Sequence, residues 1–380
     1  MFRSRSVILA LVTLATFTDI VAYSVAIPVL PDLSRKFGAS PTTIGVLFAS
    51  FGLTLLTLSI PMGAVSDRIG RKGPMVGGLV ALAAATLLFA FATSLPWLFA
   101  ARMVQGAADA VTWVVGFALI ADVYGADERG RVSGIVMMGT SVAVMVGPTL
   151  GGWLYELGGI SMPFIGVAAL AIVAMGLFLA VEFPHHHAPT EPVPLGMIVR
   201  VPAIAACALV VIAISSTITM LEPILALQLA GLGVSPARLG LIYGAAAVVT
   251  TTMHPIIGRL SDRWGARQTM MLGLVLVAAT LVVLGQAWSY WSALVLFVIA
   301  AGTGTFVITP SLAFMGEATT SAGVRSFGVS YGLYNLAWGA GLLSGPALGG
   351  FLFERLGFSV LMLLWAPLLI VARWRLRRIN

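Results

Sequence analysis

The chain has 380 residues, of which 59% are hydrophobic and only 9% are charged, and its net charge is +7. Soluble domains carry about 25% charged residues. This composition excludes an ordinary soluble fold, because so much apolar surface has no favourable contact with water. Apolar stretches of about 20 residues, the length that crosses a bilayer as a helix, recur along the whole sequence. The sequence therefore predicts an all-α membrane protein in contact with the lipid bilayer.

Twelve such stretches are predicted to be transmembrane helices, called spans here and numbered in chain order. The first follows a short basic segment, is long and carries Asp19, so we interpret it as a span and not as a cleaved signal peptide. The predicted spans are 7–30, 45–65, 74–94, 97–120, 132–154, 161–182, 202–226, 238–258, 269–287, 292–315, 328–351 and 358–374.

The basic residues are distributed unevenly between the two sides of the membrane. If the N-terminus is cytoplasmic, sixteen Lys and Arg residues lie on the cytoplasmic side and four on the opposite side, while Arg102 lies within a span. This is the positive-inside pattern. It predicts a multi-pass protein of the cell membrane with both termini in the cytoplasm. Because topology accounts for the basicity, no nucleic-acid partner is predicted.

The two sets of six spans repeat each other. Gly63 to Lys72 echoes Gly258 to Arg267 at an offset of 195 residues, and Gly147 to Gly152 echoes Gly345 to Gly350 at an offset of 198. Six spans per unit keep both units in the same orientation, which is the parallel repeat of one class of transporter folds. We predict an N-terminal six-helix bundle at 1–182, a cytoplasmic linker at 183–201 and a C-terminal six-helix bundle at 202–380.

The predicted linker contains three adjacent histidines, His185, His186 and His187, among four prolines. Adjacent residues on a proline-rich loop do not converge on one ion, and no carboxylate cluster accompanies them. We interpret this segment as a solvated loop. The only cysteine, Cys207, excludes an intrachain disulfide. No metal site and no cofactor are predicted.

Several motifs resemble those of the major facilitator superfamily. Gly63 to Lys72 resembles its loop signature between spans 2 and 3, Arg102 to Gly106 its signature in span 4, and Gly139 to Gly152 the span 5 signature of its proton-driven exporters. Within the superfamily the sequence is most similar to drug:proton antiporters and vesicular monoamine transporters. Asp19 in span 1 and Met220 to Pro223 in span 7 carry that similarity.

The resemblance implies a major facilitator fold and a monomeric, proton-coupled exporter of lipophilic or cationic small molecules that works by alternating access. The sequence has no phosphate-binding loop ending in Gly-Lys-Ser/Thr, so an ion gradient is expected to supply the energy. Two alternatives stay open: a proton-coupled carrier of a neutral metabolite or sugar, and a non-transporting receptor or scaffold. Gly328 to Gly332 matches a hydrolase motif, but it opens a predicted span and lacks the strand-turn-helix context. We therefore predict no enzyme.

Three carboxyl groups lie inside predicted spans: Asp19, Asp109 and Glu222. Each charge costs about 2.5–3.5 kcal/mol to insert, so each needs a reason. A buried carboxyl group favours its neutral form and can exchange a proton for a cationic substrate. The structural alternative is a neutral carboxyl that hydrogen-bonds between helices. Asp109 is either a proton site or a partner of Arg102, which lies about 10 Å away along the same helix face.

The resemblance also has departures. Asn335 and Thr305 stand where the monoamine carriers have acids, and Phe51 stands where they have a lysine, so the proton number and a monoamine substrate are in doubt. Aromatic residues predicted near the midplane would suit lipophilic cations through cation–π contact, or would pack between helices. These aromatic residues are Trp113, Tyr331, Tyr334 and Trp338, of which Tyr331 matches a family aromatic.

Two sets of residues are predicted to gate the protein. In the family that the sequence resembles, the acid that corresponds to Asp67 docks on the positive N-terminal end of span 11, and arginines add ion pairs. Gly-Pro pairs in spans 5 and 11 would kink a helix and let neighbours approach closely. The candidate gating residues are Gly63, Asp67, Arg68, Gly70, Arg71, Arg131, Gly147, Pro148, Asp262, Arg263, Gly345 and Pro346.

Overall fold

The computed structural model describes residues 5–182, 201–323 and 327–378, with the backbone but not the side chains of 126–127, 129–130 and 327–331. Every regular element in these ranges is a helix. Eleven of the described helices are long and apolar enough to cross a membrane, and the last contains two spans. Their bounds are Arg5–Phe37, Pro41–Ile69, Lys72–Ala90, Leu95–Val123, Ala126–Gly158, Met162–Ala180, Pro202–Gly231, Pro236–Trp264, Ala266–Leu284, Tyr290–Ser321 and Phe327–Arg377.

The first span and the last helix differ from the prediction. Span 1 was predicted to end at residue 30, but it continues through a short 3-10 segment, Ile27–Val29, into a further helix that ends at Phe37. Pro28 is tolerated because it lies in the first turn, where its missing N–H group has no partner to lose. Spans 11 and 12 form one helix that is interrupted only at Gly357, whose φ of 75° suits glycine. The prediction of twelve spans is therefore confirmed.

The backbone repeats as the sequence does. Spans 2 and 8 each have 29 residues, and spans 3 and 9 each have 19. Glycines with positive φ end corresponding spans in both halves, which fixes the same turns at the same places. The corresponding glycines are Gly38 and Gly233, Gly70 and Gly265, and Gly159 and Gly357.

The helices expose many large apolar side chains. In span 6, Ile172, Val173, Leu177 and Leu179 are each between 45% and 57% exposed. Soluble proteins do not leave contiguous apolar surface of this kind open to water. The sixth span therefore presents a face suited to lipid, in agreement with the predicted membrane class.

Contacts divide the chain into two compact units. The first comprises Met1–Ala39, Ser50–Thr190 and Ser235–Gly244, and the second comprises Ser40–Ala49, Glu191–Val234 and Ala245–Asn380. Spans 2 and 8 are thus each divided between the two units. The domain boundaries proposed from the sequence stay a prediction, and linker residues 183–200 lie outside the described part of the chain.

In the first unit, the beginning of span 8 crosses span 5 with backbone in contact with backbone. A Cβ atom at Gly240 would clash with the carbonyl oxygen of Pro148, and one at Gly152 with that of Pro236. Next to this crossing, Ser235 Oγ donates a hydrogen bond of 3.3 Å to Glu156 Oε1. The glycines therefore permit a close approach that any other residue would prevent.

The second unit contains the same arrangement between the beginning of span 2 and span 11. A Cβ atom at Gly45 would clash with the carbonyl oxygen of Pro346, and one at Gly350 with that of Pro41. Here the backbone N–H of Thr42 donates a 2.9 Å hydrogen bond to Glu354 Oε2. A carboxylate is favourable at the positive N-terminal end of a helix. The chain thus builds one glycine crossing with a neighbouring glutamate in each unit.

Candidate functional site

Two carboxyl groups lie side by side in the core of the first unit. Asp19 of span 1 is 1% exposed and Asp109 of span 4 is 5% exposed. Their side chains are close enough to interact directly, and both lie near the side chain of Trp113. Thr112 Oγ1 donates a 3.1 Å hydrogen bond to Asp19 Oδ2, whereas Asp19 Oδ1 has no hydrogen-bond partner among the described residues. We call Asp19 and Asp109 the carboxyl pair.

Small residues on span 4 fix where Asp109 points. A Cβ atom at Gly106 would clash with the carbonyl oxygen of Phe51, so span 4 lies directly against span 2 at this level. Ten residues further on, a Cβ atom at Gly116 would lie only 3.2 Å from Val12 of span 1. These two close approaches hold span 4 from both sides, and Asp109 lies between them.

A buried cation, Arg102, lies on the same face of span 4 as Asp109. Arg102 is fully buried, donates a 2.7 Å hydrogen bond to Gln105 Oε1 and approaches the carbonyl oxygen of Tyr23 to 3.4 Å. Its guanidinium group lies 5.1 Å from the ring centres of both Tyr23 and Phe89. Aromatic faces and carbonyl oxygens are favourable surroundings for a cation with little access to water. Arg102 therefore joins spans 1, 3 and 4 in the core.

The predicted site residues of the second unit are Glu222, Asn335, Tyr331 and Trp338. Glu222 is half-buried in span 7, directly before Pro223, which lies inside the helix, and Asn335 is half-buried in span 11. The Trp338 ring stacks on Tyr334 with 6.1 Å between ring centres, and both pack against a buried apolar cluster. The side chain of Tyr331 lies outside the described residues.

An ion-pair cluster lies at the loop between spans 2 and 3. Arg71 Nε donates to Asp122 Oδ2 at 2.9 Å, and Arg71 Nη1 donates to Asp67 Oδ1 at 2.5 Å and to Ser66 Oγ at 2.6 Å. The Arg71 side chain is 12% exposed, so solvent screens these pairs only in part. One arginine thus connects the end of span 2 to the end of span 4.

The remaining predicted gating residues occupy separate places. Arg131 approaches Glu128 to 3.7 Å, while Arg68, Asp262 and Arg263 are exposed at the ends of spans 2 and 8. Gly70 has a φ of 88° and forms the turn before Arg71. The expected docking of Asp67 on span 11 involves residues 324–331, whose side chains are not described. Gly63 of span 2 lies where a Cβ atom would approach Val114 to 3.2 Å.

The two Gly-Pro pairs lie at equivalent tight contacts. Pro148 and Pro346 are inside their helices, as predicted. A Cβ atom at Gly147 would clash with Ser24 Oγ of span 1, and one at Gly345 with the carbonyl oxygen of Ser216 of span 7. Each pair therefore lies where span 5 or span 11 packs closely on the first span of its own half.

Three polar residues of the site were not found in the sequence: Thr112, Gln105 and Asp122. Thr112 and Gln105 lie within four residues of Asp109 on span 4, so their helical spacing was the available signal. Within the described residues, no group of His, Cys, Asp and Glu is arranged to hold a metal ion.

These features define a multi-span membrane transporter with ionisable groups inside one helix bundle. The model of the Major Facilitator Superfamily matches residues 12–232 and 207–378. The chain belongs to this superfamily, whose members are transporters and not enzymes, and the predicted fold class is confirmed.

Several similar proteins are named as transporters of amines or of acetylcholine. The chain is 29% identical to the human chromaffin granule amine transporter over 87% of this chain, a match that spans 64% of that transporter's length. It is 30% identical to the zebrafish (Danio rerio) probable vesicular acetylcholine transporter-B, over 98% of this chain and 80% of that protein.

Solved structures support the fold alone. A bacterial homologue of the human lysosomal transporter Spinster superimposes with a TM-score of 0.83 at 19% identity, covering 99% of this chain and 97% of that one. The human organic anion transporter MFSD10 superimposes with a TM-score of 0.72 at 16% identity, covering 99% of this chain and all of that one. Since that protein is named for anions, the shared fold does not determine the charge of the substrate.

Proposed function

We propose that the protein is a proton-coupled secondary transporter that exports lipophilic or cationic small molecules, including amines, by alternating access. One observation carries this proposal: Asp19 is fully buried, and its Oδ1 atom has no hydrogen-bond partner among the described residues. A buried acceptor of this kind is costly unless a proton or a cation satisfies it during the cycle. Relatives named for amines and acetylcholine make a cationic substrate the best-supported class.

Exchange follows from the chemistry of one carboxyl group. A proton on Asp19 removes the negative charge that attracts a cation, and a bound cation disfavours protonation. Proton and substrate therefore replace each other at this residue and do not bind together. We assign Glu222 as a second acid of the site and Asn335, Trp113 and Trp338 as substrate contacts. Arg102 is proposed to hold Asp19 and Asp109 in place through Tyr23 and span 4.

Gating is proposed for the ion-pair cluster and for the Gly-Pro pairs. Pairs such as Arg71 with Asp67 break and re-form more easily than apolar contacts, because water replaces the lost interaction. Asp67→Asn should slow transport while leaving substrate affinity nearly unchanged, because this residue is 53% exposed at the end of span 2, whereas the carboxyl pair is buried between spans 1 and 4. We propose a cell-membrane protein with cytoplasmic termini, on the basis of the distribution of Lys and Arg, and a monomer, on the basis of the resemblance to the superfamily.

The proposal is tested with purified protein in liposomes that contain a pH-sensitive dye. A pH gradient is imposed, and lipophilic amines and cationic dyes are added in turn. Substrate-dependent proton movement is expected for the unmodified protein and is expected to disappear in Asp19→Asn and Glu222→Gln. The matched control is Glu182→Gln, because Glu182 is exposed and lies just after span 6. This variant should behave like the unmodified protein.

Two results would contradict the proposal. Undiminished proton-coupled transport in Asp19→Asn would show that Asp19 is not part of the proton-coupling site. Proton movement that depends on a sugar or another neutral metabolite, with no response to any cation, would support the alternative carrier. A carrier of that kind uses the same fold and proton gradient, so the panel of substrates distinguishes the two.

A further inference from the structure

The carboxyl pair poses a problem of hydrogen-bond chemistry. An ionised carboxylate only accepts hydrogen bonds, so two ionised carboxylates cannot bond to each other. Asp19 and Asp109 nevertheless lie side by side in a core where both are at least 95% buried. Like charges at such a site do not both ionise. A proton on one of the two groups turns the contact from repulsive into a hydrogen bond.

The surroundings do not supply enough positive charge to keep both groups ionised. The buried cation of span 4, Arg102, lies two helical turns, about 10 Å, from Asp109 along the helix and donates to Gln105 and to the carbonyl oxygen of Tyr23. Spans 3, 5 and 6 also pack on span 1, and Phe51 of span 2 contacts Tyr23. The interiors of these four spans, residues 45–65, 75–90, 132–154 and 162–180, contain no ionisable side chain. The partners that face the pair are therefore neutral: the Thr112 hydroxyl group and the Trp113 indole.

We infer that Asp19 and Asp109 share one proton that stays with the pair throughout the transport cycle. Asp109 keeps this proton and uses it in a hydrogen bond to Asp19 Oδ2, the oxygen that also accepts from Thr112 Oγ1. The pair then carries one negative charge, on Asp19, and its free Oδ1 atom accepts either one further proton or one monovalent organic cation. Asp109 is thus a positioning residue that fixes the exchange at one charge. This inference rests on the proposed function, because it takes Asp19 as the exchanging group.

Two substitutions that keep the branched shape of the side chain separate the roles of the shared proton. Asp109→Asn keeps a hydrogen-bond donor that cannot be lost, and so imitates the protonated carboxyl group. Asp109→Leu removes the donor, so Asp19 loses this hydrogen bond. We expect Leu to weaken substrate binding and transport by about tenfold, the effect of one unsatisfied buried partner, and Asn to retain more of both.

The decisive measurement is the number of protons exchanged per substrate. Tetraphenylphosphonium is a suitable probe, since it carries a permanent charge and no titratable proton of its own. Proton release on its binding is followed with a pH dye in weak buffer, and the transport ratio is obtained from the pH and substrate gradients at which net flux is zero. Asp109→Asn should show the same ratio as the unmodified protein, because the shared proton does not leave the pair.

Each contrary outcome is distinct. A ratio lower by one proton in Asp109→Asn would show that Asp109 itself exchanges, which overturns the inference. Equal impairment in the Asn and Leu variants would show that a negative charge on Asp109 is required, and normal transport in the Leu variant would show that the pair is not needed. Persistence of transport in Asp19→Asn would instead contradict the proposed function. Folding of each variant is checked by its thermal unfolding midpoint in detergent.

Discussion

The two units share their skeleton but bury different side chains at equivalent positions. At an offset of 195 residues, the first unit has Asp19, Arg102, Gln105 and Asp109, where the second has Ile214, Phe297, Ala300 and Gly304. All eight residues are buried. The second unit fills its core with apolar residues and hydroxyl groups, such as Thr217, which accepts a 3.0 Å hydrogen bond from Trp365 Nε1. The ionisable chemistry of the core is therefore concentrated in the first unit.

Both units keep the same contacts at their helix ends and at their glycine crossings. Lys72 Nζ donates to the carbonyl oxygens of Leu179 and Val181, at the end of span 6. Arg267, at the equivalent position, donates to the carbonyl oxygens of Leu376 and Arg377, at the end of span 12. A cation is favourable at a helix C-terminus, where carbonyl groups lack helical partners. Duplication thus preserved the contacts that every six-span bundle needs, while the core was free to differ.

Exchanging the core residues between the units gives the largest expected effects. Asp19→Ile should abolish transport and lower stability by about 1–3 kcal/mol, because Asp109 and Thr112 lose their buried acceptor. Ile214→Asp should destabilise the protein by about 2.5–3.5 kcal/mol, the cost of an unpartnered acid in a span. Thermal unfolding in detergent and liposome transport measure the two effects. A stable Ile214→Asp variant would show that the second core accommodates charge as readily as the first.

Alanine substitutions at the glycine crossings should lower stability by the same amount in both units. Gly45→Ala and Gly240→Ala each place a methyl group against a proline carbonyl oxygen, and each should cost about 1–3 kcal/mol of stability through overpacking. Gly77→Ala is the matched control, because an added Cβ atom there has no neighbouring atom within 4 Å. It should stabilise span 3 by up to about 1 kcal/mol. Unequal effects at Gly45 and Gly240 would break the symmetry between the crossings.

The cations at the helix ends, Lys72 and Arg267, should contribute less to the unfolding free energy than the glycine crossings, and by equal amounts. Lys72→Met and Arg267→Met each remove hydrogen bonds to carbonyl groups that are partly open to solvent. We expect each to lower the unfolding free energy by about 1 kcal/mol. Unfolding of both variants in parallel is the appropriate measurement. A loss confined to Lys72→Met would show that the contact of Arg267 is not energetically equivalent.

The smallest effect is expected from adding the arginine that the second unit lacks. Ser66, Asp67 and Asp122, the partners of Arg71, have counterparts at Ser261, Asp262 and Glu317, but Ala266 stands in place of the arginine. Ala266→Arg should restore the ion pairs and stabilise the protein by at most about 1 kcal/mol, because Asp262 and Glu317 are exposed. The gain should decrease as salt concentration rises, and a gain that is independent of salt would exclude the ion-pair explanation.

The sequence predicted the fold because its signals are local. Apolar length defines a span, and the recurrence of Gly63 to Lys72 at Gly258 to Arg267 revealed the duplication without any knowledge of packing. The extension of span 1 to Phe37 was missed, because Pro28 was interpreted as an end and not as the first turn of a new helical segment. Element ends depend on such details of backbone geometry more than on composition.

The candidate site was predicted only in part. Asp19 and Asp109 were both identified as buried acids, but their direct contact was not, since it depends on how spans 1 and 4 are rotated about their axes. Close packing at Gly106 and Gly116 sets that rotation. The glycines Gly45 and Gly240 were not recognised either, because 42 glycines in the chain leave no basis for selecting these two from the sequence.

The division of span 8 between the units has a consequence for biosynthesis. The first unit contains Ser235–Gly244, so its contacts are incomplete until the ribosome has passed residue 244. Until then the closely packed surface at Pro148 and Gly152 of span 5 has no covering helix. The second unit includes Ser40–Ala49, which is made early and waits for span 11. Although multidomain chains commonly complete their N-terminal domain first, the first unit of this protein cannot reach its final packing before the beginning of span 8 has been made.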